Sequence, residues 1–474
     1  MKTARVMNRL AKLDHRYLWH PFTQMRDWLK REPILIVEGR GAVLRDVHHR
    51  KYLDANSSIW TNLHGHNHPR INAAIRAQLN KIAHSSALGF ANEPASLLGA
   101  ELVKAATLRS PAKDAPQLAK VFFGDDGSTA MEVALKLAYE FSRRVRKDPR
   151  PRFLSLAGAY HGDTVGAVSL GHIDLFHKAY SGLLFKSDSV PAPCCYRCPF
   201  NRARPERADA RDYRRCDWEC LGKLERKFEA RKRLDHPYAG FVFEPLMQGA
   251  AGMIAQPAGW LERACAIARG HGSMLIADEV MTGFGRTGAG SLFASHRAGV
   301  RPDFMALAKG LTGGYLPMAA TLTTQAVFDA FLGAYHEFKT FFHGHSFTGN
   351  QLGAAAALAS LEILRGPASL RAREILETEL RGALSTLWDL PRVGDIRQTG
   401  LVAGIELVKN WRTREPYSLK SRAGIRVCDA MARHGVLTRP VGNVIVLLPP
   451  YCTTPRQVRS MVDSLRRAVL EELP

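Results

Sequence analysis

Two apolar runs that stop abruptly at a charged residue constrain this chain more than any other feature. Met274-Leu275-Ile276-Ala277 ends at Asp278, and Ala306-Leu307-Ala308 ends at Lys309. Roughly thirty residues separate the two charges, the length that a strand, a crossover and a second parallel strand require. The pattern predicts that Asp278 and Lys309 emerge at the same carboxyl edge of one parallel sheet. Taken alone, such a pair is more often an ordinary surface ion pair.

The sequence on either side supports a sheet. From residue 70 to 340, helical stretches alternate with strand candidates at 121–123, 153–156, 241–243, 274–277, 304–308 and 318–322. That rhythm predicts an α/β fold whose largely parallel sheet is covered on both faces and takes ligands at the carboxyl ends of its strands. An amine beside a buried carboxylate at such an edge points to pyridoxal 5'-phosphate. The lysine would form a Schiff base with the aldehyde, and the aspartate would keep the pyridinium nitrogen protonated.

Other stretches carry parts of the same chemistry. Asp126 to Glu132 follows a strand and opens an amphipathic helix with Ala130, Val133, Ala134, Leu137, Ala138 and Phe141 on one face. The Thr129 to Glu132 spacing predicts a capping box, and the N–H groups of Gly127 and Ser128 would face a phosphate. Gly158 to Thr164 sets Tyr160 and His161 in a glycine-rich turn, where an aromatic ring could stack on a pyridine. Glu244-Pro245-Leu246-Met247-Gln248-Gly249 ends another strand, with Gln248 expected to donate to the phenolic oxygen of that ring. His343 to Asn350 is a second glycine-bounded turn before a helix, a further phosphate candidate contributed from a neighbouring subunit.

Outside this core, His15 to Thr23 is an aromatic segment broken by proline and expected to pack on another surface. Positions 34–39 and 42–46 read as two strands around a glycine turn. His64, His66 and His68 lack a metal-ligand spacing and predict a hydrogen-bonded loop. Beyond 365, long charged helices flank strands at 401–406 and 444–448, predicting a smaller α+β lobe. The resulting division is an N-terminal segment of the small domain (1–65), a large domain (66–364) and a C-terminal small domain (365–474).

Composition excludes several classes. No apolar run is long enough to span a membrane, and the opening Met1 to Met7 lacks the apolar core of a signal peptide, so a cytoplasmic protein is expected. The net charge of +22, from 66 Lys and Arg against 44 Asp and Glu, is spread along the chain without a nucleic-acid-binding signature. It predicts an arginine-rich solvated surface that attracts anions. Of eight cysteines, five fall at 194, 195, 198, 216 and 220. Two such pairs can gather thiolates around a metal, but the loose spacing favours reduced surface thiols, and no metal is assigned.

The order of these motifs resembles one family. DGSTAMEVALKLA, AYHGDT, FVFEPLMQGAAGM, LIADEVMTGFGRTG, ALAKGLTGGYLPMAA and HGHSFTGNQLGAAAALASLEIL are similar to the class III aminotransferases of fold type I, over nearly the whole chain. WHPFTQM, SSIWTNLHGHNHP and TRPVGNVIVLLPPY narrow the resemblance to the 7,8-diaminopelargonic acid synthases of biotin biosynthesis. The resemblance implies a large domain with a mostly parallel seven-stranded sheet, a smaller α+β domain, and a homodimer with shared active sites. By position it implies Lys309 as the Schiff-base lysine and Asp278 as the pyridinium partner, with Tyr160 on the ring. Gly127, Ser128 and Ser346 of the second subunit would hold phosphate, Arg439 the substrate carboxylate, and Gly344 and Ile59 would line the substrate pocket.

The implied reaction moves an amino group, through pyridoxamine phosphate, from S-adenosylmethionine to 8-amino-7-oxononanoate, giving 7,8-diaminononanoate. Two positions depart from the better-known members, which carry tyrosine where this chain has Phe22 and Trp-Trp where it has Ile59-Trp60. A subset with the same phenylalanine and the HGHSFTGNQLG turn uses lysine as donor, so lysine is the alternative. Another class III ω-aminotransferase would share the cofactor residues and differ around Phe22, Ile59, Trp60 and Arg439.

Overall fold

The computed structural model describes residues 7–107 and 116–473. The first six positions of the opening read above for a leader lie outside the described residues. At the centre is a seven-stranded sheet. Its strands are β1 (Leu118–Gly124), β2 (Phe153–Leu156), β3 (Asp188–Val190), β4 (Gly240–Phe243), β5 (Met274–Asp278), β6 (Phe304–Leu307) and β7 (Ala319–Thr324). Their order is β1-β7-β6-β5-β4-β2-β3, and only β7 runs antiparallel to its neighbours.

β2, β4, β5 and β6 are buried along their whole lengths, as strands covered on both faces must be, which is why each reads as an unbroken apolar run. β3 was not expected, because Asp-Ser-Val is too short and polar to register as a strand. Helix α1 (Gly127–Val145) covers one face and buries Ala130, Val133, Ala134, Leu137 and Ala138, with Phe141 packed at the margin. Its capping box is not the expected one. Asp126 Oδ1 accepts from Thr129 N at 2.9 Å while Thr129 Oγ1 accepts from Asp126 N at 3.0 Å. Glu132 instead accepts from Thr164 Oγ1 at 2.5 Å and Ala167 N at 3.2 Å, tying the helix to the turn after β2.

The C-terminal lobe is an antiparallel sheet of Val393–Thr399, Val402–Asn410, Val444–Leu447 and Pro440–Val441. Helices Pro367–Ser385 and Pro455–Glu472 pack on it. Its first strand escaped the sequence reading because two of its core-facing positions are charged. Arg397 is buried between Asp395 and Glu406, at 2.8 and 2.6 Å. Near the N-terminus, Ile36–Arg40, Val43–Asp46 and Lys51–Asp54 form a small sheet that Val436–Leu437 extends in parallel.

The cysteine-bearing link differs from its expected solvated state. Arg207 caps the carbonyls of Leu390 and Val393 at 2.6 Å each, Arg211 caps that of Gln398 at 2.6 Å, and Arg197 binds Glu406 at 2.7 Å. Cys195 is buried beside Tyr196 and Val408 rather than exposed. Part of the basic excess therefore anchors this insert to the small lobe. Among the described residues, no helix is long and apolar enough to cross a membrane, and no group of three His, Cys, Asp or Glu side chains is arranged to hold a metal ion.

Candidate active site

The carboxyl ends of β2, β4, β5 and β6 enclose a cavity of about 450 Å³, lined among others by Tyr160, His161, Glu244, Asp278 and Lys309. The parallel register makes this convergence unavoidable. Ala306 pairs with Asp278 and Ala277 with Phe243, so the residues just past each pairing leave the sheet together.

Asp278 is buried, and both its oxygens are engaged. Val280 N donates to Oδ1 at 3.0 Å, and His161 Nδ1 stands 2.7 Å from Oδ2. A buried carboxylate accepts, so His161 carries its proton on Nδ1. Lys309 has a φ of +26°, a strained backbone for a side chain at a cavity floor. Its Nζ lies 5.4 Å from the centre of the Trp60 ring. Burial pushes the Lys309 pKa down, against the opposing pull of Asp278, Glu244 and Asp126. Tyr160 donates to Asp163 Oδ2 at 2.7 Å; burial and that bond raise its pKa and keep the phenol protonated.

The open N-terminus of α1 supplies the anion-binding wall. Gly127 and Ser128 line the cavity at the positive end of the helix dipole. Gly127 permits a close approach, since a Cβ there would sit 2.8 Å from Val280 Cγ1. Gly162, at φ +126°, leaves no space for a side chain against Ser128.

Trp60 reaches the cavity from a turn that sequence reading took for an ordinary loop. Ser57, Ser58, Ile59 and Trp60 have φ of 46°, 48°, 65° and 71°. Four consecutive left-handed residues cost roughly 1–2 kcal/mol each. The turn is held by Ser57 Oγ donating to Leu448 O at 2.6 Å and by Asp54, which accepts from Ser58 N and Oγ at 3.2 Å each. Buried Arg286 donates to Asn62 O at 2.8 Å and Pro449 O at 3.0 Å, clamping the same segment to the C-terminal lobe. The histidine loop that follows is hydrogen-bonded as expected. His64 meets Ser360 and His66 meets Asp54, each at 2.9 Å, and burial lowers the His64 pKa to about 3.

The remaining candidates fall at different distances from this centre. Gln248 does not line the cavity; its Nε2 donates to Ala157 O at 2.9 Å, supporting the turn that carries Tyr160. Phe22 packs edge-on against Phe176 and Tyr160, with centroids 5.3 and 6.4 Å apart, and is otherwise exposed. Ile59 is exposed beside Trp60. Arg439 is exposed just before the short strand Pro440–Val441, whose Val441 packs in the cluster of Trp60 and Met281. Gly344 and Ser346 are exposed and do not line this protomer's cavity. Two lining or supporting groups were missed. Glu244 was visible as a carboxylate at a strand end, while Asp163 gave no signal beyond its place three residues after Tyr160.

A lysine depressed by burial, a carboxylate fixed by two donors and a helix N-terminus around one cavity, on this sheet order, define a fold type I transferase. The chain belongs to the class III aminotransferases, whose family model matches residues 25–469. It is 47% identical over 97% of both chains to the adenosylmethionine-8-amino-7-oxononanoate aminotransferase of Geobacter sulfurreducens. The crystal structure of the enzyme so named from Methanocaldococcus jannaschii superimposes with a TM-score of 0.87 at 38% identity, covering 98% of this chain and 99% of the other. The omega transaminase of Pseudomonas jessenii in complex with PMP gives 0.87 at 27% identity, with 98% of each chain covered.

Proposed function

We propose that this aminotransferase uses pyridoxal 5'-phosphate to move an amino group from S-adenosylmethionine to 8-amino-7-oxononanoate, giving 7,8-diaminononanoate. The observation that carries the reading is Lys309 and Asp278 facing one cavity beside the N-terminus of α1. The names of full-length relatives at 40–47% identity support the substrates.

The residues fit the cofactor. The N–H groups of Gly127 and Ser128 suit a phosphate, Asp278 suits a protonated ring nitrogen, and Tyr160 offers an aromatic face. When bound, the cofactor supplies an aldehyde for the amine and an electron sink for the substrate carbon. Lys309 moves the proton at that carbon, a task for which its lowered pKa raises the neutral fraction. His161 holds Asp278 in place from behind. Trp60 covers the amine and excludes water. Arg439 receives the substrate carboxylate through a bidentate fork.

The active unit is a homodimer in which the partner subunit's Ser346 completes the phosphate site. The loop of Ser346 is fixed by His84, whose Nε2 lies 2.9 Å from the Ser346 carbonyl, and it borders an exposed apolar patch of Leu88, Phe90 and Phe347. Tyr17, Leu18 and Trp19 are exposed as well, while His20 packs on Trp28 and Phe22 on Phe176. Apolar surface of this extent supports a partner.

The test is product formation by purified enzyme with pyridoxal phosphate and 8-amino-7-oxononanoate, offered S-adenosylmethionine or lysine. Turnover with S-adenosylmethionine is expected. Turnover with lysine alone would reassign the donor and make Phe22 and Ile59 its selectors, and no turnover with either would return the chain to a general ω-aminotransferase.

A further inference from the structure

Glu244 is a fully buried carboxyl group to which the proposed reaction gives no task. Phe243 pairs with Ala277 across the β4–β5 ladder, so Glu244 and Asp278 are the next residues on adjacent parallel strands. Paired positions project to the same face from strands about 4.8 Å apart. Both carboxyl groups are buried, at 7% and 4% exposure, and both line the cavity. Two carboxyl groups on adjacent strands in a dry site oppose each other's ionisation.

The hydrogen bonds decide where the charge resides. Asp278 has donors on both oxygens. Glu244 has one, Gly249 N on Oε2 at 2.8 Å, and its buried Oε1 has no partner among the described residues. Neighbouring Glu279 shows the contrast. It is equally buried, yet Thr282, Ala294 and Ser295 satisfy both of its oxygens, as befits a structural anchor.

We propose that Glu244 is a positioning residue that holds the proton of this register-paired couple, leaving Asp278 as the single anion presented to the cavity. Its catalytic consequence rests on the reading of the cavity as a pyridoxal phosphate site. Burial, then Asp278, push the Glu244 pKa up to about 7, while His161, the Gly249 N–H and Lys309 oppose them. The charged and titratable groups around the couple are thus Asp278 on β5, His161 and Tyr160 after β2 and Lys309 after β6, with Asp126 at the head of α1 also acting on the lysine. Ionisation of Glu244 adds a second negative charge that raises the Lys309 pKa, so the neutral fraction of the amine climbs less steeply with pH than it would beside a permanently neutral side chain. The couple thereby flattens the pH dependence of the base.

Infrared titration of the cofactor-free enzyme tests this without reference to activity. Wild-type protein is expected to show a protonated-carboxyl C=O band that disappears with a midpoint near 7, and Glu244→Gln is expected to lack it. In the loaded enzyme, the pH profile of kcat/KM should have an inflection near the same pH that Glu244→Gln removes. A wild-type spectrum with no such band above the ordinary carboxylate range overturns the proposal, as does a variant that keeps the inflection. Because buried Asp395 and Glu279 also have raised pKa values, the band is assigned by its loss in Glu244→Gln, with Glu244→Ala repeating the assignment if that variant fails to fold. Failure of the cofactor reading would appear separately, as no protein-bound absorbance once added pyridoxal phosphate has been removed by gel filtration, and the infrared comparison of wild type and variant would still decide the state of Glu244.

Discussion

His161 Nδ1 lies 2.7 Å from Asp278 Oδ2, with both side chains buried. The histidine, which also lines the cavity, therefore braces the carboxylate. A hydrogen bond to a charged group contributes about 1.5–3 kcal/mol, so His161→Phe should weaken cofactor binding roughly 10- to 100-fold. Fluorescence titration of cofactor-free protein measures this, and an unchanged dissociation constant would remove His161 from the site.

Lys309 is placed to be essential for turnover and costly for folding. Lys309→Met should lower kcat by at least about 10,000-fold, since the proposed reaction uses the residue as both base and point of covalent attachment. The same change should stabilise the cofactor-free protein by on the order of 1–2 kcal/mol. The pH dependence has a definite sign. The folded-state pKa is depressed below 10.5, so in the window between them the unfolded chain binds more protons and wild-type stability rises with pH. The advantage of Lys309→Met is thus largest below the depressed pKa and shrinks as pH climbs towards 10.5. Denaturant midpoints across that range check it.

How much of this could be read in advance depends on what each residue's type reveals. The strands β2, β4, β5 and β6 were legible because burial on both faces demands unbroken apolar runs, and a charge at the end of such a run marks the sheet's edge. Val393–Thr399 was not, because its core positions are an internal ion pair, which looks like surface in a sequence. The cap of α1 was misassigned by three residues, since Asp126 and Thr129 offer the same motif as Thr129 and Glu132. Nothing in Ser57 to Trp60 announces positive φ, because the residues that carry it are ones that avoid it. The turn is imposed by Asp54 close by and by Leu448 and Arg286, which are distant in the chain.

That turn carries its own prediction. Ile59 is β-branched and sits at φ +65°, where such a side chain is a steric outlier. Ile59→Gly should relieve about 1 kcal/mol of strain and raise the melting temperature. It should also loosen Trp60 over the amine and raise KM for substrate. Calorimetry and steady-state kinetics read the two effects independently, and a lower melting temperature would show that the turn is not strained.

Arg439 closes the set, because its assignment depends on geometry that only substrate completes. It is exposed, and its guanidinium forms no ion pair or hydrogen bond among the described residues. Val441, two residues on, packs with Trp60 and Met281, which line the cavity, and on this ground we propose that the arginine stands at the rim. A free guanidinium fork at a rim matches a carboxylate bidentately, whereas an ammonium offers only a point charge. Arg439→Lys should therefore raise KM for a carboxylate-bearing substrate roughly 10-fold, about 1.4 kcal/mol of lost binding, with kcat altered less. Steady-state kinetics of Arg439→Lys and Arg439→Ala with each substrate in turn distinguish recognition from folding. If Arg439 were only a surface charge, neither KM would move. If it supported the lobe, both variants would lose melting temperature along with activity. A rise in KM with an unchanged melting temperature, larger for alanine than for lysine, is the outcome that the rim position predicts.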